Sequence, residues 1–178
     1  MKKTSNLAYS GIIGALYILF TIGPALIPSV GPFLYGNIQF RISEALCVLP
    51  FFMPSSAWGL FIGCMGANFI GTTMGLTMPI DIIVGSLTTL AAALITSKIR
   101  IRWLVPLPTV VLNGVVIGMM LAYLFPVGGM PFTSTWLLFG AQVAYGELVV
   151  CYFLGMPLLF LLEKRGFSEN GFAHQTQK

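Results

Sequence analysis

Charge is what this sequence has least of. Of 178 residues, only 8% are Asp, Glu, Lys or Arg, and there is one histidine, His174, near the end of the chain. A soluble domain devotes roughly a quarter of its residues to charge. So small a supply cannot coat a water-facing surface, so most of the exterior must face lipid. Three cysteines, Cys47, Cys64 and Cys151, stand apart inside apolar runs, and no C-x-x-C pair occurs. Zinc, haem and disulfide chemistry therefore lack ligands, and the cysteines read as small packing residues. No G-x-x-x-x-G-K-[ST] run and no G-x-G-x-x-G followed by a distant acid is present, so a nucleotide site is not expected. No nucleophile–base pair and no metal set is visible either. An enzyme is not expected, and neither catalytic residues nor a bound metal or cofactor is assigned.

Hydrophobic residues make up 57% of the chain, and the mean hydropathy is +0.91. About 20 apolar residues make one membrane-spanning helix. Six segments follow: Leu7–Ile27, Ile42–Phe52, Ser56–Gly75, Pro79–Thr96, Trp103–Phe125 and Thr135–Leu162. The first is longer than the apolar core of a signal peptide, about 7–15 residues, and reads as a retained span. The second is short and interrupted near Pro50, as in a buried or broken helix. The sequence thus predicts an all-α integral membrane protein, a single six-helix domain over residues 1–165, with a polar, disordered tail at 166–178.

The net charge of +4 does not point to nucleic acid, because the basic residues cluster at segment ends. Lys2 and Lys3 precede the first span, Lys98, Arg100 and Arg102 join the fourth to the fifth, and Lys164 and Arg165 follow the sixth. With six spans all three clusters fall on one side, which the positive-inside rule makes the cytoplasm. Both termini are then cytoplasmic.

Once segment ends are accounted for, Arg41, Glu44, Asp81 and Glu147 remain. An ionisable group in hydrocarbon costs about 2.5–3.5 kcal/mol on insertion scales, so these should face the bundle interior. Arg41 and Glu44, three apart, can pair on one helix face. They are either a structural ion pair or part of a site. Asp81 opens the fourth span, where an acid suits the helix dipole or caps the helix. Asn68 and Asn113 lie within spans three and five, as interhelical glue or as ligand contacts. Glu147 lies roughly 18 Å into span six, with Gln142 outside it. All of these sit in the outer half or near the midplane, a distribution that describes a vestibule closed at its inner end. In span one, Ser10/Gly14 and Gly11/Ala15 form small-x-x-x-small pairs, suited either to packing within the bundle or to docking of a membrane partner.

The stretch GNIQFRISEALCVLP (Gly36–Pro50), with DIIVGSLTTLAAA (Asp81–Ala93), PLPTVVLNGVVIG (Pro106–Gly118) and YGELVVCYFLGMPLL (Tyr145–Leu159), closely resembles the QueT family. These are substrate-binding S components of energy-coupling factor (ECF) transporters, assigned to queuosine precursors. The resemblance runs from about Asn6 to Arg165 and is most specific over Gln39–Glu44. It implies a bacterial membrane protein that binds a 7-deazaguanine from outside. The implied partners are a transmembrane coupling subunit and two cytoplasmic ATPases, which hydrolyse the ATP. In that setting Glu147 would accept the guanine-type N1–H and amino donors. Asn68, Asn113 or Gln39 would complement the ring, and Glu44 or Asp81 would meet a cationic aminomethyl group. Arg41 completes the polar set, and Phe40, Trp58, Trp136 or Tyr145 would stack on the base. The family's docking pattern would fall on Ser10/Gly14 or Gly11/Ala15. Two alternatives remain: an S component for another vitamin or heterocycle, and a solitary proton-coupled carrier with Glu147 as its proton site.

Overall fold

The computed structural model describes residues 2–30 and 38–167. Among them all regular structure is helical. In chain order the elements are α1 (Lys2–Ala25), α2 (Ile42–Phe51), α3 (Ser56–Thr73), α4 (Pro79–Thr96), α5 (Arg102–Leu124) and α6 (Phe132–Lys164). Four are long and apolar enough to cross a bilayer: α1 over Asn6–Ala25, α4, α5 and α6. The 18-residue α3 has the length, but its four glycines, Asn68 and terminal threonines dilute its apolar character. The 10-residue α2 is too short to span as an α-helix. The expectation of an α-helical membrane protein is met; four helices, rather than six, have the length and composition of a span. Residues 31–37 of the expected first loop and the tail from residue 168 lie outside the described residues.

Burial explains why α2 is so different. Ser43 through Val48, Pro50 and Phe51 are all buried. One face of α2 joins a core with Ile13 and Tyr17 of α1, Leu60 and Cys64 of α3 and Ala93 of α4. Val48 and Phe51 join a second core with Val105, Met156 and Leu159. The helix is therefore the axis of the bundle and touches lipid hardly at all. It is wound as a 3₁₀ helix, which rises about 2.0 Å per residue against 1.5 Å for an α-helix. Ten residues then reach about 20 Å, so a short segment covers much of the membrane depth.

The exterior is the reverse of a soluble protein's. Leu19, Ile62, Phe69, Ile83, Leu137 and Phe153 are exposed, while Glu44, Asn68, Asn113 and Glu147 are buried. Backbones approach closely where glycines face one another. A methyl at Gly63 of α3 would sit 2.7 Å from the Gly14 carbonyl oxygen and 2.8 Å from the Tyr17 Cβ. A methyl at Gly118 of α5 would lie 2.5 Å from the Gly140 Cα of α6. Lipid gives no hydrophobic drive to helix association, so contact of this kind holds the seams. Both α5 and α6 also widen into π turns, at Asn113–Ile117 and Cys151–Gly155.

The two small-residue pairs of α1 part company here. Gly14 is buried against α3, and Ser10 donates to the Ser55 carbonyl at 2.9 Å. Gly11 and Ala15 are exposed, with nothing within 4 Å of a Gly11 Cβ. Gly63→Ala should accordingly lose about 1–3 kcal/mol by overpacking, read as a lower melting temperature in detergent. Gly11→Ala should keep or raise it, since Ala is the better helix former.

Candidate functional site

Three helices present residues at four-residue spacing to one hollow. From α4 come Asp81, Gly85 and Thr89, from α5 Asn113, Ile117 and Leu121, and from α6 Phe139, Val143 and Glu147. Residues four apart share a helix face, so each helix offers one stripe. Gln39, Arg41 and Glu44 enter from the start of α2, and Gln142 and Phe125 complete the lining. The cavity measures about 380 Å³, within the usual range for small-molecule sites, about 300–1,000 Å³. Its mouth lies at the end of the bundle where α4 and α6 begin and α5 ends. The basic runs 98–102 and 164–165 lie at the opposite end.

One buried polar contact joins α5 to α6. Asn113 Nδ2 donates to Glu147 Oε1 at 2.7 Å. The other carboxylate oxygen has only the Cys151 thiol, 3.7 Å away. Glu147 is 8% exposed, and the exposed part faces the cavity. Asn113 starts one π turn, and Cys151 starts the other. Such insertions re-aim side chains and occur often at functional sites.

Glu44 is held differently. It is 1% exposed, and both its oxygens are engaged: the Tyr17 hydroxyl donates to Oε1, and Cys47 Sγ donates to Oε2 at 2.9 Å. Thr21 extends the network, donating to the Tyr17 carbonyl at 2.8 Å and meeting Ser43 Oγ at 2.7 Å. The expected pairing of Arg41 with Glu44 on one helix face is not formed. Arg41 precedes the helix with extended backbone (φ −78°, ψ 100°), so the three-residue spacing does not align the two. Arg41 is half-buried at the cavity wall, where Asp81 and Glu44 act on its charge across a gap. Among the described residues, Arg102 and Glu163 form a direct ion pair, at 2.9 Å.

Asp81 lies in the 3₁₀ turn Pro79–Ile82 and caps no helix with its side chain. It lines the cavity instead. Asn68 stands just behind it, donating to the Asp81 carbonyl at 2.8 Å and to Cys64 Sγ at 3.4 Å, so it stitches α3 to α4 and does not line the hollow. Gln39 reaches the rim because Gly146 has no side chain; a methyl there would overlap the Gln39 carbonyl oxygen.

The aromatic expectations need correction. Trp58 is 56% exposed on the far side of α3, and Tyr145 is 54% exposed on the outer face of α6. Phe40 is half-buried but outside the lining, and Trp136 donates its ring N–H to the Val115 carbonyl at 3.0 Å. The rings that do line the cavity are Phe125 and Phe139. The spacing carries the signal for this: Tyr145 is two residues from Glu147, about 200° around the helix, whereas Phe139 is eight residues away, about two turns. Tyr17 also goes unremarked in the sequence, because a tyrosine in an apolar span looks like packing; Thr21, one turn on, marks the same polar face. A second hollow, a groove of about 680 Å³, runs between α1 and α3 and is lined among others by Gly11, Ala15, Trp58 and Ile62.

The QueT transporter family profile matches residues 7–164. Over 89 residues the chain is 39% identical to the "Queuosine precursor transporter QueT" of Lactococcus lactis subsp. cremoris (strain MG1363), covering 50% of this chain and 47% of the relative. The match thus spans about half the length of that relative. No solved structure matches the chain. The family and this relative are transporters rather than enzymes, and the exposed apolar helices make the chain a multi-pass membrane protein. The chain belongs to the QueT transporter family.

Proposed function

We propose that this chain is the substrate-binding S component of an ECF transporter and takes up a queuosine precursor of the 7-deazaguanine type from outside the cell. The observation that carries this reading is the cavity centred on Glu147 and Asn113. A guanine-type edge offers an N1–H and an amino group, both donors. An ionised carboxylate is acceptor-only and has lone pairs for both. Glu147 keeps one oxygen almost unengaged and a spare lone pair on the other. The Asn113 amide holds the carboxylate still, so little orientation is lost on binding. Gln142 and Gln39 stand at the rim for the remaining ring atoms. Phe139 takes the stacking role, worth about 1–3 kcal/mol per base in nucleic-acid systems. Asp81 and Glu44 on one wall suit an aminomethyl cation, with Arg41 balancing part of their charge. Asn68 supports the wall from behind.

In this reading all six helices sit in the bilayer, with α2 sheltered by the others. The basic end faces the cytoplasm, following the positive-inside rule, and the cavity mouth faces outward. Both termini then lie inside. The energy comes from ATP hydrolysed by two ATPase subunits, reached through a transmembrane coupling subunit. That subunit would dock along the groove of α1, where Gly11 and Ala15 face outward. Ser10 and Gly14 serve the packing beneath.

Two outcomes follow. Glu147→Gln should weaken binding of a 7-deazaguanine by about 1.5–3 kcal/mol, one to two orders of magnitude in Kd, with 7-deazaadenine binding far more weakly to the unaltered protein. Calorimetry on purified protein reads both, and equal affinity for the two heterocycles would refute the assignment. Gly11→Leu should leave ligand affinity intact while abolishing co-purification with the coupling subunit; retention of the complex would place docking elsewhere.

A further inference from the structure

The end of the bundle opposite the cavity carries its own arrangement of charge. Arg102 bonds through Nε to Glu163 at 2.9 Å. This contact brings the basic run 98–102, between α4 and α5, against the end of α6, where Lys164 and Arg165 follow Glu163. Two further contacts tie the junction together. Tyr152 donates to the Trp103 carbonyl at 2.9 Å, and the Trp103 and Phe160 rings meet edge-on at 5.7 Å. Lys98, Arg100, Lys164 and Arg165 are exposed, and among the described residues none of the four has an ion pair. Among the described residues Glu163 is the single acid of this junction, and it is already engaged by Arg102. Directly beside the cations the surface turns apolar: Ile101, Trp103, Leu104 and Leu161 are all exposed.

From this we infer that the α5–α6 junction is a binding site for a phospholipid with an anionic head group. Arg100, Arg102, Lys164 and Arg165 hold the phosphate, and one acyl chain lies along Trp103 and Leu161. Guanidinium groups match phosphate oxygens with paired N–H donors. A free phosphate or an acidic peptide would satisfy the cations but leave the apolar flank without a use. A lipid satisfies both at once, at the depth where tryptophan settles in a bilayer interface. Basic pockets between spanning helices hold anionic lipid head groups in this manner. The inference does not rest on the identity of the transported molecule.

The test is lipid retention by the full chain, measured by native mass spectrometry after exchange into nanodiscs of phosphatidylcholine with phosphatidylglycerol. The expected result is one or two phosphatidylglycerol molecules retained in preference to phosphatidylcholine. The pair Arg100→Gln and Lys164→Gln should lower that preference by about tenfold or more, with an unchanged melting temperature in detergent. Lys2→Gln with Lys3→Gln removes the same charge elsewhere and should leave the preference intact. Equal retention of the two lipids overturns the inference. So does an equal loss in the Lys2/Lys3 variant, which would mean general attraction to a negative bilayer. Displacement of the lipid by millimolar inorganic phosphate would make the ligand a free anion and overturn it as well.

Discussion

A carboxylate placed among apolar helices must be answered by a donor, and in this protein the answer fixes the architecture. Asn113 reaches across from α5 to Glu147 on α6 at 2.7 Å. That bond requires the two helices to be in close contact beside it, and Gly114 supplies the contact: a methyl there would lie 2.9 Å from the Ala144 Cβ. It also requires both side chains to turn inward, and a π turn begins at or just beyond each. The seam, the widened turns and the hollow between them therefore answer one electrostatic demand. Glu44 shows the contrasting solution. With a protein donor on each oxygen, it is satisfied before any ligand arrives. Of the three carboxylates that border the cavity, Glu44 has both oxygens bonded within the fold, Asp81 shares its wall with Arg41, and Glu147 keeps an oxygen open to a guest.

Much of this was legible in the sequence. Helices α4, α5 and α6 declare themselves through long apolar runs, and their boundaries move by only a few residues. Glu147, Asn113, Arg41, Glu44, Gln39 and Asp81 were legible as cavity residues because polar atoms are too costly in hydrocarbon to lie elsewhere. That argument says only that such a group faces inward. It does not distinguish a wall from what stands behind the wall, so it leaves open whether Asn68 lines the hollow or bonds one helix to the next, as it does. Aromatic rings obey no such rule, since phenylalanine and tryptophan are at home in lipid and in a core alike. Their placement depends on rotation about the helix axis. Tyr145 and Trp58 fall on outer faces, and Phe139 falls inside.

The winding of α2 was not legible at all. Hydrophobic pattern fixes which residues are buried, but 3₁₀ and α windings of a fully buried segment bury the same residues. The segment packs against α1, α3, α4 and α6, and Pro50 removes a donor near its end, so its surroundings rather than its hydrophobic pattern distinguish it. The same enclosure defeats the expected Arg41–Glu44 pair, because the chain enters α2 extended. Spacing arguments hold within a helix and fail at its first residue.

The stretched winding of α2 has a geometric corollary. Each of its ten residues advances about 0.5 Å further than it would in an α-helix, so relaxing the whole segment to α-helical winding would draw its ends together by about 5 Å. Arg41 stands at one end, on the cavity wall, and Phe52 lies at the other, packed edge-on against Phe51 and Phe167. A central rod whose length depends on its pitch connects the mouth of the protein to its far end. A change in its winding would register as axial displacement at both ends.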